Sequence, residues 1–388
     1  MPISTVSKFD NYMLDFYNID ATNGFLPAQE PLESLPDEFE IWDSMAREFS
    51  GLLNAGVFRT HAEAMPIIDD VSSLQTPMEL ERAMLVLSIF GHGFVWQGYE
   101  SSGYVPSSIA MPWTLVAERL GRPPTLAHAS LVLNNWKKLE PDNSIQLGNL
   151  RTLIQFHGGL DESWFYLVTT EIEAIGAGVL KQFDRIQQAA QSEDFQQIED
   201  SLETVRESLV ALNVTLNRMY EHCDPYIFYN RIRPFLASFE RIEYRGCKQN
   251  PRSYFGGSAA QSSLLQAIDA MLGITHQEKQ SRTYLVAMRN YMPTGHAAYI
   301  NALENDRPLI RAIERHNGCR RIHTACVNGL IEFRQTHLKI VANYVSSQVS
   351  KIGPGRTGTG GTDPMVFLKQ VAKDTTPSIE VTFKSDTN

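Results

Sequence analysis

The stretch FRQTHLKIVANYV, residues 333–345, has the residue spacing of a long amphipathic helix. Apolar side chains recur in and before it, mostly at gaps of three, four and one, namely Ile322, Cys326, Leu330, Phe333, Ile340, Val341 and Tyr344. This period near 3.6 residues places them on one face of a helix. We therefore expect a helix here whose apolar face packs against the rest of the fold.

His337 lies within this apolar stripe, four residues after Phe333 and three before Ile340. A neutral imidazole that faces a core is the axial ligand that an iron porphyrin needs. The alternative is a core histidine that is held by hydrogen bonds. Arg334 faces the same way, because it lies three residues earlier on the helix.

The composition is that of a water-soluble globular protein. The 388 residues are 43% hydrophobic, and the net charge of −10 argues against nucleic acid or an anionic membrane as the main partner. The apolar run AMLVLSIF, 83–90, is too short to cross a bilayer, and we see no signal peptide at the start, so we expect a cytoplasmic protein. Four scattered cysteines without a CxxC pair predict neither a disulfide framework nor a zinc site.

Helical periodicity dominates the chain, so we predict a mainly α, two-domain helical fold. The expected boundary separates a smaller N-terminal helical domain, 1–155, from a larger C-terminal helical domain, 156–388. The helices predicted in the second domain are 161–181, 184–193, 195–222, 225–240, 258–273, 277–291, 294–304 and 318–349. The best strand candidate is IEVTFK, near the C-terminus.

Two glycine-rich stretches interrupt the helical pattern, YFGGSAAQSSLLQAID at 254–269 and IGPGRTGTGGTD at 352–363. Neither matches a nucleotide-binding loop. The first is either a capped helix start or a place where the backbone approaches a flat ligand. The second is either a flexible linker or a loop that closes over a site.

Several blocks occur together in a fixed order. They are FVWQG (94–98), ERLGRPPTLAHASLVLNNWKK (118–138), WFYLVTTEIEA (164–174), DPYIFYNRIRPFL (224–236), GGSAAQSSLLQAIDAMLGI (256–274), MRNYMPTGH (288–296), FRQTHLKIVANYV (333–345) and GTGGTDPMVFLK (358–369). In this order the chain resembles the indoleamine 2,3-dioxygenase family, which are haem enzymes that open the indole ring of tryptophan. The resemblance covers roughly residues 40–370.

The resemblance implies roles for individual residues. Those implied for binding haem b are His337 as the iron ligand, with Arg334 near a propionate, Ser258, Ala259, Val341 and Phe367. Those implied for binding the substrate are Phe165, Phe228, Arg233, His128, Ser258, Ala259 and Thr359. Those implied to act in catalysis are Arg233, Thr169 and Phe228. The resemblance also implies an acid near the proximal ligand, Asp269, and a distal pocket covered by the smaller domain.

Residue spacing adds its own expectations for these positions. Phe165 and Thr169 are four apart, so one helix face would aim both into one pocket. Phe228 and Arg233 are five apart, a spread of roughly 140° on an α-helix, so they would flank a ligand. An arginine offers a planar fork for a carboxylate, although without the resemblance a structural ion pair is the simpler interpretation.

Two positions depart from the common family pattern. His128 stands where many members have tyrosine, and Leu131 where they have cysteine. Three roles are open for His128: it accepts a hydrogen bond from the indole N–H, it binds the iron, or it is a core residue bonded to a neighbour such as Ser130. The core role is slightly favoured, because Thr169 already supplies the distal polar group.

The resemblance implies a dioxygenase that converts L-tryptophan or a related indoleamine to N-formylkynurenine with haem, O2 as co-substrate and a reductant to keep the iron ferrous. One alternative is a haem enzyme that rearranges the tryptophan ring, as in pyrrolnitrin biosynthesis. Others are a non-catalytic haem or tryptophan sensor, and an all-α interaction protein without a cofactor.

Overall fold

The computed structural model describes residues 14–98, 100–249, 251–348 and 364–375. The predicted mainly α class is confirmed. The helices are α1 (Glu40–Asn54), α2 (Phe58–Ala64), α3 (Pro77–Trp96), α4 (Ser107–Leu120), α5 (Leu160–Gln191), α6 (Phe195–Asn217), α7 (Met219–His222), α8 (Pro225–Ile227), α9 (Ser263–Met271), α10 (Lys279–Met288), α11 (Thr294–Asn305), α12 (Pro308–Arg315), α13 (Asn317–Val341) and α14 (Pro364–Thr375).

Three long helices form the framework of the C-terminal part. Helix α6 packs against both α5 and α13. Its apolar stripe is fully buried at Leu202, Leu209 and Leu212, and α13 meets it with buried Cys326 and Leu330. The first half of the stripe that the sequence predicts on α13 is thus the part that packs on α6.

Helices α3 and α4 pack unusually closely in the N-terminal part. Helix α3 begins with a complete capping box, in which Thr76 and Glu79 each accept a backbone N–H of the other. A Cβ atom on Gly91 would lie 2.1 Å from the Trp113 ring, so only glycine allows the fully buried indole to sit against α3.

Short strands connect the two halves of the chain. Strand β1 (Tyr104–Val105) pairs in parallel with β4 (Phe239–Tyr244), which pairs in antiparallel fashion with β5 (Arg252–Tyr254). Strands β2 (Lys137–Lys138) and β3 (Leu150–Arg151) form a separate antiparallel pair. Buried apolar side chains from both halves belong to one cluster, so the boundary at residue 155 stays a prediction.

Two helix predictions were wrong. The segments 161–181 and 184–193 form one uninterrupted helix, α5. The segment 225–240 is not one helix: a π-helical turn (Phe228–Ile232) is followed by a 3-10 turn (Arg233–Leu236), and the chain then enters β4. Pro234 has no N–H to continue an α-helix, and its ring clashes with a preceding carbonyl, which explains the break.

Other π-helical turns occur at Ala129–Leu133 and at Ala342–Ser346, and a 3-10 turn at Ala259–Gln261 precedes α9. In the described part of the chain, no helix combines the length and apolarity needed to span a membrane. The predicted strand IEVTFK and the glycine-rich stretch 352–363 lie outside the described residues.

We predict that Gly91→Ala lowers the free energy of unfolding by about 1–3 kcal/mol, the usual cost of overpacking a core. The added methyl group must displace the Trp113 ring, which is fully buried. Thermal or urea unfolding monitored by circular dichroism measures this change.

Gly51→Ala is the matched control. Gly51 lies in α1, and a Cβ atom added there would have nothing within 4 Å, so alanine should be neutral or stabilise by up to about 1 kcal/mol. Equal effects of the two substitutions would mean that α3 and α4 do not pack as described.

Candidate active site

An apolar cavity lies between α5, α13 and α14, beside the turns that follow α8 and precede α9. It contains about 910 Å³ of space not filled by protein atoms, part of which is open to solvent. Eight residues that the sequence singled out line it: Phe165, Phe228, Arg233, Ser258, Ala259, His337, Val341 and Phe367.

His337 is the one imidazole on the described wall of this cavity. Desolvation lowers its pKa to about 4, so the ring is neutral at pH 7 and has a free nitrogen lone pair. His337 is half-buried, and within the described residues its ring makes no hydrogen bond, whereas fully buried histidines have partners. For example, His92 contacts the Phe235 carbonyl at 2.7 Å, and His323 contacts the Leu272 carbonyl at 3.0 Å. The alternative of a hydrogen-bonded core histidine is therefore not what the structure shows for His337.

A buried ion pair lies one helical turn before His337. Arg334 donates to both carboxylate oxygens of Asp269 at 2.6 Å and also to the hydroxyl of Thr375 in α14. His276 contacts the same carboxylate at 3.1 Å. Burial favours a higher pKa for Asp269, but Arg334 and His276 outweigh it and hold the pKa below its usual value. Arg334 does not itself line the cavity, so its predicted contact with a propionate stays a prediction.

Aromatic rings form one wall of the cavity. Phe165 from α5 and Phe228 lie 4.7 Å apart between ring centroids, and Tyr344 meets Phe228 at 5.7 Å. On the other side, Phe367 meets the Tyr284 ring edge to face at 4.8 Å. The sequence did not single out Tyr284 as a site residue. Tyr344 lies seven residues after His337 on the same apolar stripe, so this stripe could have identified it as a lining residue.

Arg233 brings a positive charge to this apolar wall. It is buried, lines the cavity and lies 5.2 Å from the ring of Tyr229. The expected 140° spread between Phe228 and Arg233 was wrong, because the backbone N–H of Arg233 donates to the carbonyl of Phe228. This i→i+5 bond of a π-helical turn places the two residues nearly above one another, so both face the same cavity.

Small residues form the part of the wall next to α9. Gly257, Ser258 and Ala259 line the cavity, and the Ser258 hydroxyl accepts the N–H of Ala260 at 3.2 Å. The side chain of Gln261 completes a capping box with Ser258. The glycine-rich stretch at 254–269 is therefore both a capped helix start and a close approach of backbone to the cavity.

Thr169 lies outside the cavity wall. Its hydroxyl donates to the carbonyl of Phe165 at 3.2 Å. Phe165 is among the described lining residues and Thr169 is not, so the expectation that one helix face carries both into the pocket stays a prediction. Thr359 is not among the described residues.

His128 is also outside the described wall of the cavity. Its Nε2 lies 2.8 Å from a carboxylate oxygen of buried Glu173, which also accepts the hydroxyl of Ser262 at 2.7 Å. The partner in this core contact is thus Glu173 rather than Ser130. No sequence pattern pointed to Glu173, which is 45 residues away and lies on α5.

Comparison with known proteins identifies the family. The family model described as indoleamine 2,3-dioxygenase matches residues 13–378. Indoleamine 2,3-dioxygenase 2 of Homo sapiens is 34% identical, covering 94% of this chain and 95% of the relative. Indoleamine 2,3-dioxygenase of Saccharomyces cerevisiae is 30% identical, over 95% of this chain and 94% of its own.

A third relative has a different name. The 6-hydroxytryptophan 2,3-dioxygenase of Fusarium equiseti is 29% identical, over 95% of this chain and 98% of its own. The match spans the whole cavity and both halves of the chain, and it agrees with the helical fold. The chain belongs to the indoleamine 2,3-dioxygenase family of oxidoreductases.

Proposed function

We propose that this protein is a haem-dependent dioxygenase that converts L-tryptophan, or a related indoleamine, to its N-formylkynurenine product. The observation that carries the proposal is His337, a neutral imidazole without a hydrogen-bond partner in the described chain, on the wall of an apolar cavity. Family membership supports the same reaction class.

The residues around the cavity fit a haem. His337 would hold the iron through its free lone pair, and the apolar side chains of Val341 and Phe367 would pack against the macrocycle. Ser258 and Ala259 are small enough to leave room for a flat ring. When bound, the haem supplies the reduced iron at which O2 is activated.

The opposite wall suits an amino acid with an aromatic ring. Phe165 and Phe228 offer ring faces and edges for an indole, and Arg233 offers a guanidinium fork for its carboxylate. Because Arg233 is buried, its charge is little screened by water, and a bound carboxylate would offset it.

The described wall of the cavity contributes no carboxylate side chain, so it offers no strong general base. We propose that the protein instead positions the substrate: it would fix the amino acid end, hold the indole ring near the iron and exclude water. We further propose that Thr359, together with the glycines around it, closes over the amino acid end, and that Arg334 lies near a propionate.

Two other functions remain as alternatives with the same site. A ring-rearranging haem enzyme would not place both atoms of O2 in a formylkynurenine, and a sensor would bind haem and tryptophan without consuming O2. Turnover of L-tryptophan with 18O2, followed by mass spectrometry of the product, distinguishes all three. Our proposal requires two labelled oxygen atoms in N-formylkynurenine.

The substrate preference is open to the same assay. The relative from Fusarium equiseti is named for 6-hydroxytryptophan, so ring-substituted tryptophans belong in the comparison. Higher kcat/KM for a substituted ring would refine the proposed substrate without changing the reaction.

We predict that His337→Ala loses turnover and retains haem weakly or not at all. The substitution removes the imidazole on the cavity wall and leaves no other histidine among the described lining residues. Haem absorption spectra and O2 consumption measure the two effects. His61→Ala, at an exposed position on α2, is the control and should change neither. Normal spectra and activity in His337→Ala would exclude it as the ligand.

We predict that Arg233→Ala lowers kcat/KM for L-tryptophan by about 10- to 150-fold, since a charge-assisted hydrogen bond contributes roughly 1.5–3 kcal/mol. Tryptamine, which has no carboxylate, should lose much less. Arg231→Ala is the matched control, because Arg231 is exposed two residues earlier and does not line the cavity. An equal loss on both substrates would make Arg233 a structural residue.

We predict that His128→Phe reduces turnover of tryptophan and of 1-methyltryptophan to a similar extent. The physical reason is that His128 holds Glu173 in the core, and the loss of one of the two hydrogen-bond partners of this buried group costs about 1–3 kcal/mol of stability. Steady-state kinetics on both substrates, with an unfolding curve, measure this.

Glu173→Gln is the control for His128, because it changes the same pair from the other side. A loss confined to tryptophan would instead mean that His128 accepts the indole N–H. A six-coordinate low-spin ferrous spectrum that the substitution abolishes would mean that His128 reaches the iron.

A further inference from the structure

A group of three potential metal ligands lies where α6 and α13 begin, away from the cavity. Glu199, His316 and Cys319 each offer one ligand atom, and these three atoms all lie within 4.8 Å of one another. None of the three lines the cavity described above. The sequence did not reveal the group, because Glu199 is more than one hundred residues from the other two.

The local structure holds each of these side chains in place. His316 is the N-cap of α13, and its ring stacks on Phe195 with a centroid distance of 4.7 Å and an interplanar angle of 6°. Cys319 is fully buried in the first turn of α13. A Cβ atom at Gly318 would lie 1.8 Å from a carboxylate oxygen of Glu199, so glycine is needed there for the carboxylate to approach.

The Nδ1 atom of His316 lies between a backbone N–H and a carboxylate oxygen. Its Nδ1 accepts the backbone N–H of Cys319 at 3.5 Å and also lies 3.1 Å from a carboxylate oxygen of Glu199. In that arrangement two lone-pair atoms face each other with no hydrogen between them. A proton on Nδ1 or a cation bound by Nδ1 and the carboxylate would remove the repulsion, and either would replace the long contact with the N–H of Cys319.

The donor set selects the kind of cation. One sulfur, one imidazole nitrogen and one carboxylate oxygen suit a borderline divalent ion such as Zn²⁺, whereas Mg²⁺ and Ca²⁺ prefer oxygen alone. Ligand atoms around tetrahedral zinc lie about 3.3–3.8 Å apart, given bond lengths of roughly 2.0–2.3 Å. The three atoms are therefore within about 1 Å of a bound arrangement.

We propose that Glu199, His316 and Cys319 bind a divalent zinc-type ion, with the fourth position open to water. This site goes beyond the proposed dioxygenase activity and does not depend on it. Its ligands come from two helices, so a bound ion would connect the first turns of α6 and α13. Because the ion would bind the folded chain, it would stabilise the fold by mass action.

The competing interpretation is a surface ion pair between Glu199 and a protonated His316, with Cys319 as a buried thiol. When no metal is present, the buried thiol of Cys319 donates its proton toward the Phe195 carbonyl, 3.6 Å away. A metal ion must displace that proton, and binding should therefore release protons and weaken as pH falls. An ion pair between Glu199 and His316 would not involve the Cys319 sulfur.

The experiment uses the purified full chain without an affinity tag and Zn²⁺ alone as the probe. Isothermal titration should show one Zn²⁺ per chain, and X-ray absorption at the zinc edge should show one sulfur at about 2.3 Å with nitrogen or oxygen ligands at roughly 2.0 Å. This edge does not overlap with the absorption of a haem. Cys319→Ser should remove the sulfur shell.

Glu199→Gln and His316→Gln should each weaken Zn²⁺ binding by roughly tenfold or more, since each removes one ligand. The matched control is Glu203→Gln, an exposed acid one turn later on α6 that pairs with Arg206 and should leave binding unchanged. The rise in melting temperature on adding Zn²⁺ should be present in the control and absent in Glu199→Gln. This comparison tests the site even where Cys319→Ser does not fold. Binding that is absent, lacks sulfur, or survives in all three variants would overturn the proposal.

Discussion

The ion pair between Asp269 and Arg334 is the contact on which the site's geometry most depends. It joins α9 to α13 in a buried environment, and the added bond to Thr375 attaches α14, which brings Phe367 to the cavity. Burying two charges is costly, and the loss is offset here because the guanidinium contacts both oxygens of the carboxylate. Since Arg334 lies one turn before His337, the same contact fixes the rotation of α13 that points the imidazole at the cavity.

The sequence predicted the parts of the site that one helix carries alone. The apolar stripe of α13 placed His337 and Val341 on one face, and both line the cavity. The angle that the sequence predicted between Phe228 and Arg233 was wrong, because a π-helical turn joins the two residues. The formation of this turn depends on packing and on Pro234 rather than on local periodicity. The domain boundary at residue 155 stays a prediction, and the buried apolar cluster includes residues from both sides of it.

Residue periodicity could not predict contacts between segments that are far apart in the sequence. His128 finds its partner in Glu173, on a different helix, and Glu199 meets His316 and Cys319 across more than one hundred residues. In both cases the sequence contains the residues but does not show that their side chains are in contact. Thr169 shows a different limit. Its spacing of four residues from Phe165 suits one helix face, but its hydroxyl donates to the backbone carbonyl of Phe165 in the same helix.

In the described part of the chain, one π-helical turn follows His128, one precedes Arg233 and one begins five residues after His337. A π turn holds one residue more than an α turn between bonded backbone groups. If the same five-residue spacing had ordinary α geometry, Arg233 would lie roughly 140° around the helix from Phe228 and away from its face of the cavity. At this place the proposed binding of a carboxylate depends on the wider backbone turn as much as on the side chains themselves.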